Sequence, residues 1–439
     1  MKKYSILIVL FALLYSCEPK PQPVEDIVYA DSNKYTMKQA PSAKRGIGFN
    51  SLYENDFEAI RKGITWAYNW GTSGFNATIE AAAVKAGVAF VPMVWNGGGN
   101  WADAIRNYKK KYPDCEYFLA FNEPNLTDQA NMTPTQAAAK WNEVKNLAQE
   151  LNMKIVAPAM NYGTLAGYSD PIKWYDEFFA KPNVSLDDVS ALSLHCYMNN
   201  PSALKSYVER FRKYDKPIWM TEFCAWEGDR TAEQQRAYMS DVLNYFEAEP
   251  MVERYAWFKY DGSTTNNPQY ALRPTGNSKG ELTDLGKVYV NLSSYDKEFH
   301  YGHNQVIPAE HYCNSNFSEV GNNDWVAGVQ LKVSSDETGI LEVANFGLPK
   351  WLEYKIEPVV NGDYHFIMRY ACNSDSKYKI LLDGDEIGEI DLPKTGGYTS
   401  WQTITTPTLP LKSGKHTVRI VPSKGMISLN WWRYKREGI

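Results

Sequence analysis

Two glutamates in this chain have the residue type and setting that bond-breaking chemistry needs. Glu123 stands in Phe121-Asn122-Glu123-Pro124-Asn125, and Glu222 in Ile218-Trp219-Met220-Thr221-Glu222-Phe223. Each closes an apolar run of the kind that forms a buried strand, and strand-breaking residues follow. A carboxyl group so placed sits at the mouth of a sheet, not inside its core. One carboxylic acid that protonates a leaving oxygen, with one carboxylate that attacks an anomeric carbon, is the minimum apparatus for cutting a glycosidic bond with retention. Either glutamate alone would read as a salt-bridge partner or a helix cap. Together, amid polar and aromatic groups at neighbouring run ends, they read as a site.

Asn122 precedes the first glutamate and is placed to hydrogen-bond a sugar 2-hydroxyl. Trp66, Tyr68 and Trp70 share one face of a strand, and Asn69 lies at its end. Met93 and Trp95 close another run ahead of three glycines, which let a ligand approach the backbone. His195 and Tyr197 share a face on a third run, and Trp257 lies in the last. Trp66 and Met93 also fit plain core, and His195 fits a core histidine or one that holds a neighbour. Trp95 and Trp257 fit the walls of a sugar subsite. Glu222 is expected to stay ionised, oriented by His195 or Tyr197, and Glu123 to have its pKa raised by burial and the nearby negative charge. No two-histidine-plus-carboxylate cluster points to a catalytic metal, so no cofactor is expected for catalysis.

The elements that must position these groups are legible. Apolar runs at 46–50, 64–70, 88–95, 117–123, 154–159, 189–197, 217–223 and 254–260 alternate with helical stretches. Thr133-Pro134-Thr135-Gln136 and Thr231-Ala232-Glu233-Gln234 carry the capping-box pattern that starts a helix. Eight such alternations over roughly 250 residues predict a (β/α)8 TIM barrel, class α/β, over 42–296. After that, helical periodicity stops. Short strands such as 364–370, 377–382 and 416–421 are separated by Asn361-Gly362-Asp363, Asp383-Gly384-Asp385 and Ser413-Gly414-Lys415. This predicts an all-β jelly-roll sandwich over 297–439.

The chain has 439 residues and a formal charge of −5, with no basic block of the kind that binds nucleic acid. Aromatic residues make up 14%, including 14 Trp and 30 Tyr, enough to fill a core and also to stack on sugar rings. Lys2 and Lys3 precede an apolar stretch at 6–14 that is too short to span a bilayer, which predicts a signal peptide over 1–17. Leu14-Tyr15-Ser16-Cys17 resembles a lipobox, which would make Cys17 the lipidated first residue of the mature protein; cleavage by ordinary signal peptidase is the alternative. The proline-rich segment 18–41 then reads as a tether, and export to the outer membrane, held by lipid on its periplasmic or outer face, is expected. A monomer is expected. Cys196 and Cys224 end two neighbouring strands, where a disulfide is possible.

The segments KRGIGFN (44–50), TWAYNW (65–70), FVPMVW (90–95), FLAFNEPN (118–125), LSLHCY (192–197), KPIWMTEF (216–223) and VERYAWF (252–258) resemble glycoside hydrolase family 128. The resemblance covers about residues 42–295. It implies a β-1,3-glucanase with Glu123 as acid/base and Glu222 as nucleophile, and with Asn122, Tyr197, Trp95 and Trp257 lining the subsites nearest the cut. The C-terminal part resembles a family 6 carbohydrate-binding module through Ile307-Pro308-Ala309-Glu310-His311-Tyr312, Trp351-Leu352-Glu353-Tyr354 and Thr395-Gly396-Gly397-Tyr398. That resemblance implies Tyr398 as an aromatic platform, a second ring near Phe346 and a structural calcium at Glu310. The last strand departs from the family pattern Asn-x-Asp and reads Ser428-Leu429-Asn430.

The expectation is a retaining endo-β-1,3-glucanase acting on β-glucan polysaccharide or oligosaccharides. Two alternatives stay open. One is a retaining glycosidase for another β-glycan. The other is a surface protein that binds glycans without cutting them.

Overall fold

The computed structural model describes residue 37 and residues 39–74, 76–277, 279–316 and 328–438. The expected signal peptide, Cys17 and most of the tether lie outside the described residues. Among the described residues, no helix is long and apolar enough to cross a membrane.

Among the described residues, eight strands and eight α-helices alternate between residues 45 and 291. The strands are β1 (Arg45–Gly48), β2 (Trp66–Tyr68), β3 (Ala89–Phe90), β4 (Tyr117–Leu119), β5 (Lys154–Met160), β6 (Ala191–Cys196), β7 (Ile218–Phe223) and β8 (Val252–Trp257). Among the helices, α1 spans Asp56–Ile60, α2 Ala77–Ala86, α3 Trp101–Lys111, α4 Pro134–Leu151, α5 Pro171–Phe179, α6 Pro201–Glu209, α7 Ala232–Ala248 and α8 Asp284–Asn291. The sheet order is β3-β2-β1-β8-β7-β6-β5-β4. A parallel bridge between Met93 and Leu119 joins its two ends and closes the ring. Both expected capping boxes form, Thr133 with Gln136 ahead of α4 and Thr231 with Gln234 ahead of α7.

Trp66, Met93, Leu119, Val156, Ala191, Trp219 and Ala256 fill the inside of the ring. The two indoles are large enough that small residues must face them. Gly46 shows why most clearly: a Cβ there would lie 2.3 Å from the Trp66 ring. At the same end, Arg45 is fully buried and bonds Glu247 at 2.9 Å and the Tyr255 hydroxyl at 2.8 Å. Removing one partner of such a pair strands a charge. Glu247→Ala is therefore expected to destabilise the protein by about 3–5 kcal/mol in urea unfolding followed by tryptophan fluorescence. A loss below 1 kcal/mol would show that the other Arg45 contacts suffice.

The C-terminal residues form two antiparallel sheets. The five-stranded sheet runs Asn314–Ser315, Leu352–Ile356, His416–Lys424, Ser376–Leu382 and Asp385–Leu392. In the six-stranded sheet the order is Gln330–Val333, Leu341–Gly347, Met426–Arg436, Gly362–Ala371 and Gln402–Leu411, with Ile307–Pro308 also paired to Met426–Arg436. Helix α7 is buried without a break from Tyr238 to Phe246, so it has no solvent face over that stretch. Phe246 packs on Phe223 of the barrel, with ring centres 5.0 Å apart. The opposite side meets the sandwich: Tyr312 donates to Asn244 at 2.8 Å, Leu331 N–H to Ser240 Oγ at 3.2 Å, and Gln330 to Asp241 at 3.1 Å. Cys196 and Cys224 are both buried and free, so the possible disulfide between them does not form.

Candidate active site

The chain beyond β4 stays extended, with Ala120 N–H bonded to Val156 O at 2.9 Å and Asn122 N–H to Trp95 O at 2.8 Å. Glu123 then takes a left-handed backbone with φ of 44°, and Trp70, at the end of β2, has φ of 62°. Non-glycine residues in that region cost of order 1–3 kcal/mol each, and such strain gathers at functional sites. Between β6 and β7 the register slips after Leu194, which sets His195 directly opposite Glu222.

Three buried groups meet at the mouth. His195 Nδ1 lies 2.9 Å from Glu123 Oε1 and 3.4 Å from Glu222 Oε2. One atom from each of the three residues falls within 4.8 Å of the others. This donor set could also accept a divalent ion. Asn161, just beyond β5, donates to Glu123 at 3.1 Å. Glu222 has the denser shell: Trp70 Nε1–H donates at 2.6 Å, the Tyr197 hydroxyl donates to the other oxygen, and the Tyr68 hydroxyl stands 3.3 Å away.

Burial pushes the Glu222 carboxyl above the usual range, and the His195 charge offsets this only in part. Burial also pushes Glu123 up, but the adjoining imidazole more than reverses it and holds that carboxyl low. Burial alone would depress His195; the two carboxylates raise it. The sequence led to the expectation of a raised Glu123; His195, closer to Glu123 than to Glu222, holds it low instead.

A cleft of about 240 Å³ opens over this trio, lined by Trp70, Trp95, Asn122, Gln129 and Phe258 among others. Asn122 donates to Gln129 at 3.2 Å and keeps its own carbonyl oxygen without a partner. A larger cavity of about 570 Å³ lies where the barrel meets the sandwich, near Lys205, Arg212 and Lys297, away from the carboxylates.

The structure thus brings together Glu123, Glu222, Asn122, Tyr68, Trp95, His195 and Tyr197. It does not bring the others. Trp66 and Met93 lie in the barrel interior, and the Trp66 indole donates to Lys44 O at 3.0 Å. Asn69 turns back to accept from Gly71 N–H at 3.2 Å. Trp257 is fully buried against the outer helices and donates to Tyr270 O at 2.8 Å, so it is no subsite wall; Phe258 takes that place. Sequence reasoning named Trp70 on the strand face without giving it a role, and missed Asn161, Gln129 and Phe258 as site residues. Trp70 had a signal, since it shares a strand face with Tyr68. Asn161 had one too, because it follows a barrel strand directly.

In the sandwich, Tyr398 is partly exposed. Phe346 is fully buried, and its carbonyl accepts from Tyr378, so its ring is core and not a platform. Asn430 holds the loop at 336–338, donating to Asp336 at 2.7 Å and to Thr338 O at 2.9 Å. Glu310 is buried with Oε2 unpartnered, and desolvation pushes its carboxyl up to about 7. Calcium takes six to eight oxygens. No cluster of three acidic, histidine or cysteine ligands surrounds Glu310 among the described residues, so carbonyl oxygens would have to complete such a site.

A parallel barrel with paired carboxylates at its C-terminal mouth, joined to a β-sandwich, defines a modular glycoside hydrolase. Residues 46–289 match the glycosyl hydrolase catalytic core, and residues 326–434 match carbohydrate binding module family 35. The family 6 expectation is corrected by that second match. A structure described as a GH128 (subgroup II) endo-β-1,3-glucanase from Pseudomonas viridiflava is 33% identical, covers 57% of this chain and 98% of that one, and superposes with a TM-score of 0.52. A second of that description, from Sorangium cellulosum, is 31% identical over 56% of this chain and 98% of that one, with a TM-score of 0.50. Through its catalytic core the chain belongs to glycoside hydrolase family 128. Alkali-sensitive linkage protein 1 of Schizosaccharomyces pombe is 24% identical over 269 residues, 57% of this chain and 45% of that protein. The chain thus matches less than half the length of that relative.

Proposed function

We propose that this protein is a retaining endo-β-1,3-glucanase. The observation that carries the reading is the carboxylate pair, whose facing oxygens lie within 4.8 Å with His195 between them. Retaining glycosidases hold their carboxyls about 5–5.5 Å apart, and inverting ones about 6.5–9.5 Å apart to fit a water. Glu222 attacks the anomeric carbon, with Trp70 and Tyr197 donating to its two oxygens and fixing their direction. Glu123 protonates the leaving oxygen and later takes a proton from water. Glu123 acts in its protonated form, and His195 Nδ1, 2.9 Å away, is placed to pass it a proton. Asn122, with an unpartnered buried oxygen, meets the sugar beside the cut. Substrate and endo action rest on the two subgroup II relatives, described as endo-β-1,3-glucanases.

The sandwich presents Tyr398 to the same glycan, and Cys17 carries the lipid that holds the exported protein at the outer membrane. A monomer is sufficient for this chemistry, because both carboxylates come from one chain. The purified protein on laminarin is expected to release a ladder of short oligosaccharides whose new reducing ends appear first as the β-anomer in proton NMR. An α-anomer appearing first would reject retention. A single small product would reject endo action.

A further inference from the structure

Tyr162 lies two residues beyond β5, next to the Asn161 that donates to Glu123 at 3.1 Å. Its side chain is 46% exposed, unusual for so large a ring. It is nevertheless held firmly. Arg210 donates to the Tyr162 hydroxyl at 2.9 Å and lies 5.8 Å from the ring centre. Both oxygens of Asp170 accept from Arg210 at 2.8 Å, which fixes the guanidinium in turn. Tyr207 backs the ring with centres 5.3 Å apart. A ring ordered before a ligand arrives does not have to be ordered again on binding.

Resting on the glucanase reading above, we infer that Tyr162 is the stacking platform for the leaving-side sugars of the glycan, the part of the chain beyond the bond that is cut. The acid defines that side. Glu123 delivers its proton to the oxygen that departs, so the departing sugars extend past Glu123, on the side of the β5 end that carries Asn161 and Tyr162. The apolar C–H face of a glucose ring lies on the tyrosine. The same surface receives an acceptor sugar when the glycosyl–enzyme is attacked by a hydroxyl in place of water. In that step the acceptor oxygen bonds to the anomeric carbon, its proton passes to Glu123, and Glu222 departs as carboxylate.

Two substrates separate this role from a merely structural one. Laminarin occupies the leaving side with sugars. β-Laminaribiosyl fluoride loses only fluoride ion, so its cleavage places no leaving sugar on Tyr162. For Tyr162→Ala, the ratio of kcat/KM on laminarin to kcat/KM on the fluoride is expected to fall roughly fivefold to tenfold, with the loss chiefly in KM. Tyr162→Phe, which keeps the ring, should restore most of it. An unmoved ratio in an active protein would overturn the platform and leave the glucanase reading standing. A wild-type protein inert on both substrates would overturn both. Melting temperatures equal to wild type exclude misfolding as the cause.

Discussion

Glu222→Gln is expected to lower kcat on laminarin by about 10⁴-fold or more, the scale seen when a covalent nucleophile is deleted. The amide keeps the shape of the carboxylate, but Trp70 and Tyr197 donate to different oxygens of Glu222, so only one of them keeps an acceptor. It cannot form the glycosyl–enzyme bond. The change also removes a buried negative charge facing Glu123, so the melting temperature is expected to hold or rise. Activity loss with retained stability is the signature of a catalytic group and not of a structural one. Glu123→Ala gives the complementary result. It should spare attack on β-laminaribiosyl fluoride, whose leaving group needs no acid, and then stall with the glycosyl–enzyme accumulated. Added azide should release that intermediate as the β-glycosyl azide. If Glu222→Gln kept more than a hundredth of the wild-type rate, the assignment of the nucleophile would fail.

Trp70→Phe is expected to cost about 10²-fold in kcat, the usual loss when one preorganised donor to a reacting charge is removed. The substitution keeps an aromatic ring on the cleft wall and deletes only the N–H that meets Glu222 at 2.6 Å. The pH profile distinguishes loss of the donor from loss of packing. Burial already pushes Glu222 up, and the indole hydrogen bond opposes that by favouring the anion. Without it the carboxyl ionises at higher pH, so the acidic limb of kcat/KM moves to higher pH. A fall in kcat with an unmoved acidic limb would mean that the ring, not its N–H, is what matters.

Much of this site is legible in the sequence, because strand ends in a barrel converge on one mouth. Glu123, Glu222, His195 and Tyr197 were found from their positions at run ends alone. The misses have physical causes. Barrel strands are apolar on both faces, so alternation does not reveal which residues point inward. In β8, Ala256 faces the ring interior while Tyr255 and Trp257 pack outward, which left Phe258 to the cleft. For Trp66 and Met93 the inward face was correct and the depth was not: period-two patterning gives a side of the sheet but no height along the barrel axis. Phe346 was named through the family resemblance as lying near a loop, whereas it lies within the strand Leu341–Gly347 with its ring in the core. The inverted order of carboxyl acidities depends on a β6–β7 slip that sets an imidazole between them, a detail no spacing discloses.

Helix α7 carries a consequence for how the two halves can be used. Its Ser240, Asp241 and Asn244 are tied to the sandwich while Phe246 is sunk in the barrel, so one rod belongs to both halves. Cutting the chain between them would leave a raw strip of protein interior along that rod, and a barrel-only fragment would clump for that reason alone. A polysaccharide strand gripped by the sandwich would reach the cleft at a set distance and bearing. The protein would then work as a fixed-jaw gauge laid along its substrate, not as a blade swinging on a leash.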